Sequence, residues 1–228
     1  MIKHHPSDEL LNVFIDGDLP VSLSAAIAVH ADMCPCCQEK IAHITQSKAS
    51  ASFGTDINNV AAVNLENISD DNDLAMFDNM IASIVANDDI AHTQLSADKT
   101  ITMGNATFTL PKAIANIDLS SQIQFGKLTR ARLQLDEGVI HSSLFHIQAG
   151  GSIPQHTHKG YELTLLLSGE FSDEAGHYMP GDFIMLDASH THEPVSEHGC
   201  LCFTVVNNAL HFTQGINRLL NPIGQFIY

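Results

Sequence analysis

The chain has 228 residues, 44% hydrophobic and 16% charged, which leaves room for one large domain or two small ones and excludes disorder throughout. Its apolar runs are short, Leu163 to Gly169 (LTLLLSG) being typical, so no bilayer-spanning segment is expected; the opening MIKHHPSDELLNVFIDGDLP lacks the basic-then-apolar order of an export signal, and the expected compartment is the cytoplasm. Ten Lys plus Arg against twenty-six Asp plus Glu give a formal charge of −16, which argues against nucleic-acid phosphate as a direct ligand and fits a basic protein partner better.

The charge is uneven. Residues 1–95 hold fourteen acids and only Lys3, Lys40 and Lys48 as bases, a local charge of −11. The five cysteines are expected to be thiols or metal ligands in a reducing compartment.

Hydrophobic period divides the chain in two. Residues 8–48 and 71–87 read as helices, because apolar positions recur every three or four residues. Leu10 and Phe14 mark the first helix. Leu23, Ala26, Ile27 and His30 share one face of a second, begun after Pro20 and ended near Met33. A third starts at Cys34, with Pro35 at the first helical position, where its missing N–H costs nothing. The fourth follows Asp70, Asp71 and Asp73, acids that suit a helix N-terminus, and runs through Leu74, Phe77, Ile81, Ile84 and Val85. Residues 49–69, small and polar, read as a flexible connection.

Beyond residue 105 the pattern changes to short β-rich runs between Gly, Pro and Asp turns: FTL, IQFGKL, ARLQL, VIHSSLFHI, ELTLLLSG, DFIML and LCFTVV. Such spacing predicts an all-β sandwich or small barrel. The expected organisation is α+β in two domains: a small helical domain over 1–88, a linker over 89–105 and a β-domain over 106–228.

In the helical half, His30 is followed four residues on by Cys34 and three further by Cys37. Zinc favours thiolate and imidazole in a tetrahedron, and such a site stabilises a small helical domain whose core is too small to do so alone. Cys34 at the N-cap and Cys37 one turn later lie near the positive end of the helix dipole, which is expected to lower their thiol pKa. A fourth ligand must come from elsewhere, and His4 and His5 are the candidates. Cys36 points about 100° round the helix from its neighbour and reads as buried filler or a spare thiol.

At these residues the sequence resembles a known family. His-x3-Cys-x2-Cys, joined to an early His before a Ser-Asp-x-Leu-Leu helix, is similar to the zinc-binding domain of bacterial anti-sigma factors that hold extracytoplasmic-function sigma factors inactive. Within that group it resembles the ChrR type, which pairs such a domain with a cupin. The resemblance implies His5, His30, Cys34 and Cys37 as zinc ligands.

In the β-half, Gly150-x5-His156-x-His158-x3-Glu162-x6-Gly169 matches the first cupin motif at every defined position. In a strand His156 and His158 project to one face, the barrel interior, and Glu162 on the next strand supplies a carboxylate opposite them. The second motif is Met179-Pro180-Gly181-Asp182, with Pro-Gly making the hairpin turn, and then His190-Thr191-His192-Glu193-Pro194. The family pattern, with a ligand two residues before Pro, favours His192 as the fourth ligand and leaves His190 as the alternative. The half is expected to be a cupin, a double-stranded β-helix barrel, holding zinc or another divalent metal on three imidazoles and one carboxylate. Cys200 and Cys202 share a strand face, as buried packing or as a redox-reactive pair.

Two functions follow. The resemblance implies a regulator: an anti-sigma factor, not an enzyme, that binds one extracytoplasmic-function sigma factor one to one and releases it in response to singlet oxygen sensed through the cupin. Its first and fourth helices would present Leu10, Leu11, Phe14, Phe77 and Met80 as apolar anchors. The alternative is a metal-dependent, dioxygenase-like cupin enzyme, for which the sequence offers no acid/base or substrate motif beyond the ligands.

Overall fold

Helix α1 (Asp8–Asp16) begins where Ser7 Oγ accepts the Leu10 N–H at 3.2 Å, with Asp8 and Glu9 in the first turn. In the computed structural model, which describes residues 1–53, 71–87, 98–208 and 210–212, it ends at Gly17, whose φ of 79° closes the helix in the left-handed conformation. Helix α2 (Val21–Met33) follows Pro20, and the Ser22 N–H at its start donates to both Glu137 carboxylate oxygens at 3.2 Å. Seven of its residues, Ser22, Leu23, Ala25, Ala26, Ile27, Val29 and His30, are buried, so α2 is enclosed nearly all round and carries no broad polar face.

Helix α3 (Pro35–Phe53) starts at Pro35 as expected, and the Cys34 carbonyl accepts the Gln38 N–H at 3.0 Å. It continues through Phe53, into the expected connection; residues 54–69 of that connection, and Asp70, lie outside the described residues. Helix α4 (Asp71–Val85) leaves Met76, Phe77, Met80, Ile81, Ile84 and Val85 exposed.

The remaining described residues include a short helix, α5 (Lys112–Ala115), and antiparallel strands. These are β1 (Thr100–Met103), β2 (Ala106–Thr109), β3 (Ile123–Phe125), β4 (Leu128–Arg132), β5 (His141–Ile147), β6 (Gly151–Ser152), β7 (His156–His158) and β8 (Glu162–Gly169). There follow β9 (Phe171–Asp173), β10 (Gly176–Tyr178), β11 (Phe183–Leu186), β12 (Thr191–His192), β13 (Val195–Ser196), β14 (Cys200–Val206) and β15 (Leu210–Phe212). A six-stranded sheet runs β11-β8-β14-β5-β4-β3, a four-stranded sheet β10-β9-β13-β6 and a three-stranded sheet β12-β7-β15, while β1 and β2 form a hairpin. This is the expected cupin-like arrangement, with N-terminal helices before it.

Side-chain alternation in the six-stranded sheet explains why its strands read as continuous apolar runs. Leu163 and Leu165 of β8, with Leu201, Phe203 and Val205 of β14, enter one core cluster. Leu166, Cys200, Cys202 and Val206 enter a second, which also holds Phe171 and Tyr178 of the four-stranded sheet. Both faces are therefore buried.

The first cluster also contains Leu11, Leu23, Ala26 and Ile27 of α1 and α2, so those helices and the barrel share one core. Contacts accordingly group Met1–Ile44 with Asp98–Tyr228 and leave Thr45–Ala97 as a second unit, a different division from the one hydrophobic period suggests. Part of the expected linker is strand: Thr100–Met103 pairs with Ala106–Thr109 in the β1–β2 hairpin. Residues 89–97 of that linker and 213–228 of the expected β-domain lie outside the described residues. Among the described residues no single helix is long and apolar enough to cross a membrane.

A shared core predicts shared unfolding. Ile27 is fully buried in that cluster, and Ile27→Ala is expected to destabilise helices and barrel together by about 2–5 kcal/mol. Far- and near-ultraviolet circular dichroism in denaturant would show one shifted transition; a barrel transition left at its wild-type midpoint would contradict it.

Candidate metal centres

The extended segment ahead of α1 brings His5 beside the junction of α2 and α3. His5, His30, Cys34 and Cys37 each offer a ligand atom, all within 4.8 Å of one another. His5 Nδ1 is 3.4 Å from the sulfurs of both Cys34 and Cys37. A tetrahedral ion with nitrogen and sulfur bonds of about 2.0 and 2.3 Å separates those donors by about 3.5 Å. His30, Cys34 and Cys37 are buried and His5 is exposed, so the cluster is open to solvent on one side.

The imidazole of His30 provides the test of fit. Its Nδ1–H donates to the Gly181 carbonyl at 2.7 Å, which leaves Nε2 as a lone pair. That Nε2 is buried with no hydrogen-bond partner. Burial lowers the His30 pKa, so the ring is neutral and competent as a donor. An orphaned lone pair beside two sulfurs and a second imidazole suits a soft or borderline cation.

Burial, and then the adjacent Cys34 sulfur, pushes the Cys37 thiol up to about 12. This corrects the expectation that the helix dipole lowers it. At this depth a thiolate requires the positive charge of a cation.

Of the two early histidines, the structure brings only His5 into the cluster. The His4 ring lies against Tyr178, with centroids 5.0 Å apart. Cys36 is exposed, hence a spare thiol and not core filler.

The second cluster lies where β7 and β12 meet the start of β8. His156, His158, Glu162 and His192 also converge within 4.8 Å. His158 Nε2 is 2.6 Å and His192 Nε2 3.4 Å from Glu162 Oε2, and the Nε2 atoms of His156 and His192 are 2.9 Å apart. The Nδ1 atom of His156 meets the Pro154 carbonyl at 2.9 Å, and that of His192 meets Asp173 Oδ2 at 3.3 Å. With both Nδ1 atoms donating, two Nε2 lone pairs face each other across 2.9 Å, an arrangement that needs a proton or a metal cation between them. His190 does not join: it is exposed and meets Asp187 Oδ1 at 2.8 Å.

The electrostatics agree. Burial drives the His156 pKa down to about 3, against the pull of the Glu162 charge. Burial opposes charge on His192 too, but the Asp173 and Glu162 carboxylates outweigh it and hold its pKa at about 9. Burial alone would raise Glu162; the imidazoles, His158 foremost, hold it well below the usual carboxylate range.

Asp173, the Pro154 carbonyl and the Gly181 carbonyl orient these ligands and were not legible in the sequence. No motif marks Asp173, and a backbone carbonyl has no residue signature. Cys200 and Cys202 are both buried as free thiols in the barrel core. Leu11 is 0% exposed inside the shared core, which corrects its assignment as a partner anchor. Leu10 and Phe14 are half-buried beside that core, whereas Phe77 and Met80 are exposed.

A barrel with an interior His₃Glu cluster, following helices with a His₂Cys₂ cluster, defines the class: a cupin joined to a helical module with its own metal-suited donors. Residues 112–209 match the ChrR cupin-like domain. Along 225 residues, 97% of each chain, the sequence is 28% identical to the anti-sigma-E factor ChrR of Cereibacter sphaeroides. It also aligns with a chain of the crystal structure of Rhodobacter sphaeroides SigE in complex with the anti-sigma ChrR, at a TM-score of 0.60 and 22% identity, over 90% of this chain and 99% of that one.

Metal entry at the second cluster must displace the proton of His192. Below its pKa of about 9 the protonated ring competes with a divalent cation, and above it the competition ends. Affinity is therefore expected to rise as pH increases from 6 to 8, by up to about tenfold per unit from this group, with proton release on binding. Chelator competition across that range measures the slope; a pH-independent affinity would contradict it.

Proposed function

We propose that this chain is an anti-sigma factor of the ChrR type, a regulator and not an enzyme. The observation that carries this reading is similarity to ChrR along 97% of each chain, together with donor clusters in both the helices and the barrel. The partner is an extracytoplasmic-function sigma factor, bound one to one in the cytoplasm. Functional labour divides into a binding module over 1–88 and a sensing cupin over 106–228, joined by 89–105.

Zinc is the metal proposed for His5, His30, Cys34 and Cys37, because two thiolates and two imidazoles form the donor set of a closed structural zinc site. The cupin cluster holds zinc or another divalent metal on His156, His158, Glu162 and His192. In this reading the zinc fixes the α2–α3 junction, and the acidic N-terminal region faces a basic sigma surface. Exposed Phe77 and Met80 of α4 and half-buried Leu10 and Phe14 of α1 supply apolar contact. Singlet oxygen acts on oxidisable side chains of the cupin, and the loosened protein releases its partner.

Cys34→Ser with Cys37→Ser is expected to lose the helical-module metal and to weaken sigma binding by on the order of 100-fold, read by elemental analysis and by titration of a labelled sigma factor. His156→Gln with His158→Gln is expected to leave affinity within about threefold, under 1 kcal/mol, while blunting release under singlet oxygen. Sigma affinity that survives loss of the two thiols would refute the binding module as placed. Turnover of a small organic substrate with oxygen would favour the enzyme instead.

A further inference from the structure

The cupin corner between β10 and β11 bonds His30 of the helical-module cluster and the backbone of His4, the residue before His5. Asp182, 1% exposed, accepts the Lys3 N–H at 2.7 Å and the His4 N–H at 3.0 Å on Oδ1. Its Oδ2 accepts the Met179 N–H at 2.8 Å, which closes the turn on itself. The Phe183 N–H returns a bond to the His4 carbonyl at 3.0 Å. His4 is thus held at both its N–H and its C=O, and His5 is the next residue. One position back in the turn, the Gly181 carbonyl accepts the His30 Nδ1–H at 2.7 Å.

The corner is itself anchored to β8. The Gly181 N–H donates to the Leu166 carbonyl at 2.8 Å, and the Leu166 N–H donates to the Asp182 carbonyl at 3.1 Å. Gly181 has a φ of +95°, and a Cβ there would collide with the Ile2 side chain, so the N-terminal segment lies directly on the turn. The corner also approaches the second cluster. Tyr178, whose ring lies tilted against that of His4, donates its hydroxyl to Asp173 Oδ1 at 3.2 Å, and Asp173 Oδ2 meets His192 Nδ1 at 3.3 Å.

We infer that the Met179–Phe183 corner of the cupin is a structural component of the His5, His30, Cys34, Cys37 metal cage, with Asp182 as the positioning residue for His5 and the Gly181 carbonyl as that for His30. His5 lies ahead of α1 and outside any helix or strand, and a ligand on an untethered segment must be ordered each time metal binds. Asp182 supplies that order in advance, and a carboxylate accepting backbone N–H groups does so with strong, charge-assisted bonds. The barrel thereby helps to place half of the donor set: His5 through its pinned neighbour His4, and His30, itself on α2, through the bond to its Nδ1. The inference rests on the reading of these four residues as a metal site; it does not depend on any sigma partner.

The test uses the full chain loaded with cobalt, which reports thiolate ligation by a charge-transfer absorption that the thiolate-free cupin cluster does not give. Asp182→Ala is expected to weaken cobalt and zinc retention at the thiolate cage by about 10–100-fold in chelator competition, with the metal of the cupin cluster and the barrel circular dichroism unchanged. Lys3→Pro removes one of the two N–H donors and leaves the Asp182–Met179 bond intact; it is expected to weaken the cage in the same direction without touching the barrel. If Asp182→Ala fails to fold, Lys3→Pro decides alone. Wild-type retention in the folded variants would overturn the positioning role. Absence of the thiolate band in the wild-type protein would instead overturn the cage on which it rests.

Discussion

Converging donors repel one another unless a cation lies between them. In each cluster of this protein the lone pairs of imidazole, thiolate or carboxylate point at a common volume, with His156 and His192 Nε2 atoms 2.9 Å apart and His5 Nδ1 3.4 Å from two sulfurs. Each arrangement is held by bonds on the far side of the rings: Gly181 carbonyl for His30, Pro154 carbonyl for His156, Asp173 for His192. Those outer bonds fix which nitrogen carries the proton and leave the inner one as a donor to metal. Helix caps, turns and sheet register serve in both modules to bring such partners together.

The second constraint is burial. α2 is apolar on most of its circumference because it lies against the outer face of the six-stranded sheet, where Ile27 shares a cluster with Leu163, Phe203 and Val205. The helices of Met1–Ile44 are therefore built into the cupin unit. Their metal-suited cluster and the barrel corner that orients it belong to the same packed body, and His5 owes its place to a backbone pairing with the strand that opens at Phe183.

Much of the candidate site was legible in the sequence. His156 and His158 two apart on a strand, Glu162 at the start of the next, and His30, Cys34 and Cys37 around a helix junction are short-range patterns that local geometry fixes. Choices between neighbours were not legible. His4 and His5 are chemically identical candidates, and only the extended segment pinned at His4 turns His5 toward the sulfurs. His190 and His192 differ in the same way: the first is captured by Asp187 on the surface, the second pairs in register with His156. Leu11 resembles its neighbour Leu10 in sequence, yet it alone is fully enclosed.

Period, turn chemistry and ligand spacing were set by the chain itself, because they depend on residues within about one turn or one strand of each other. They established helices before a cupin barrel, the two donor motifs and an acidic N-terminal region. Tertiary structure decided what depends on distant segments. It joined α1 and α2 to the barrel core and converted part of the expected linker into strand β1. It raised the Cys37 thiol by burial that helix position alone does not reveal. It also recruited Asp173 and Asp182, whose partners lie 19 and 178–179 residues away in the chain, and no local pattern encodes a bond across such separations.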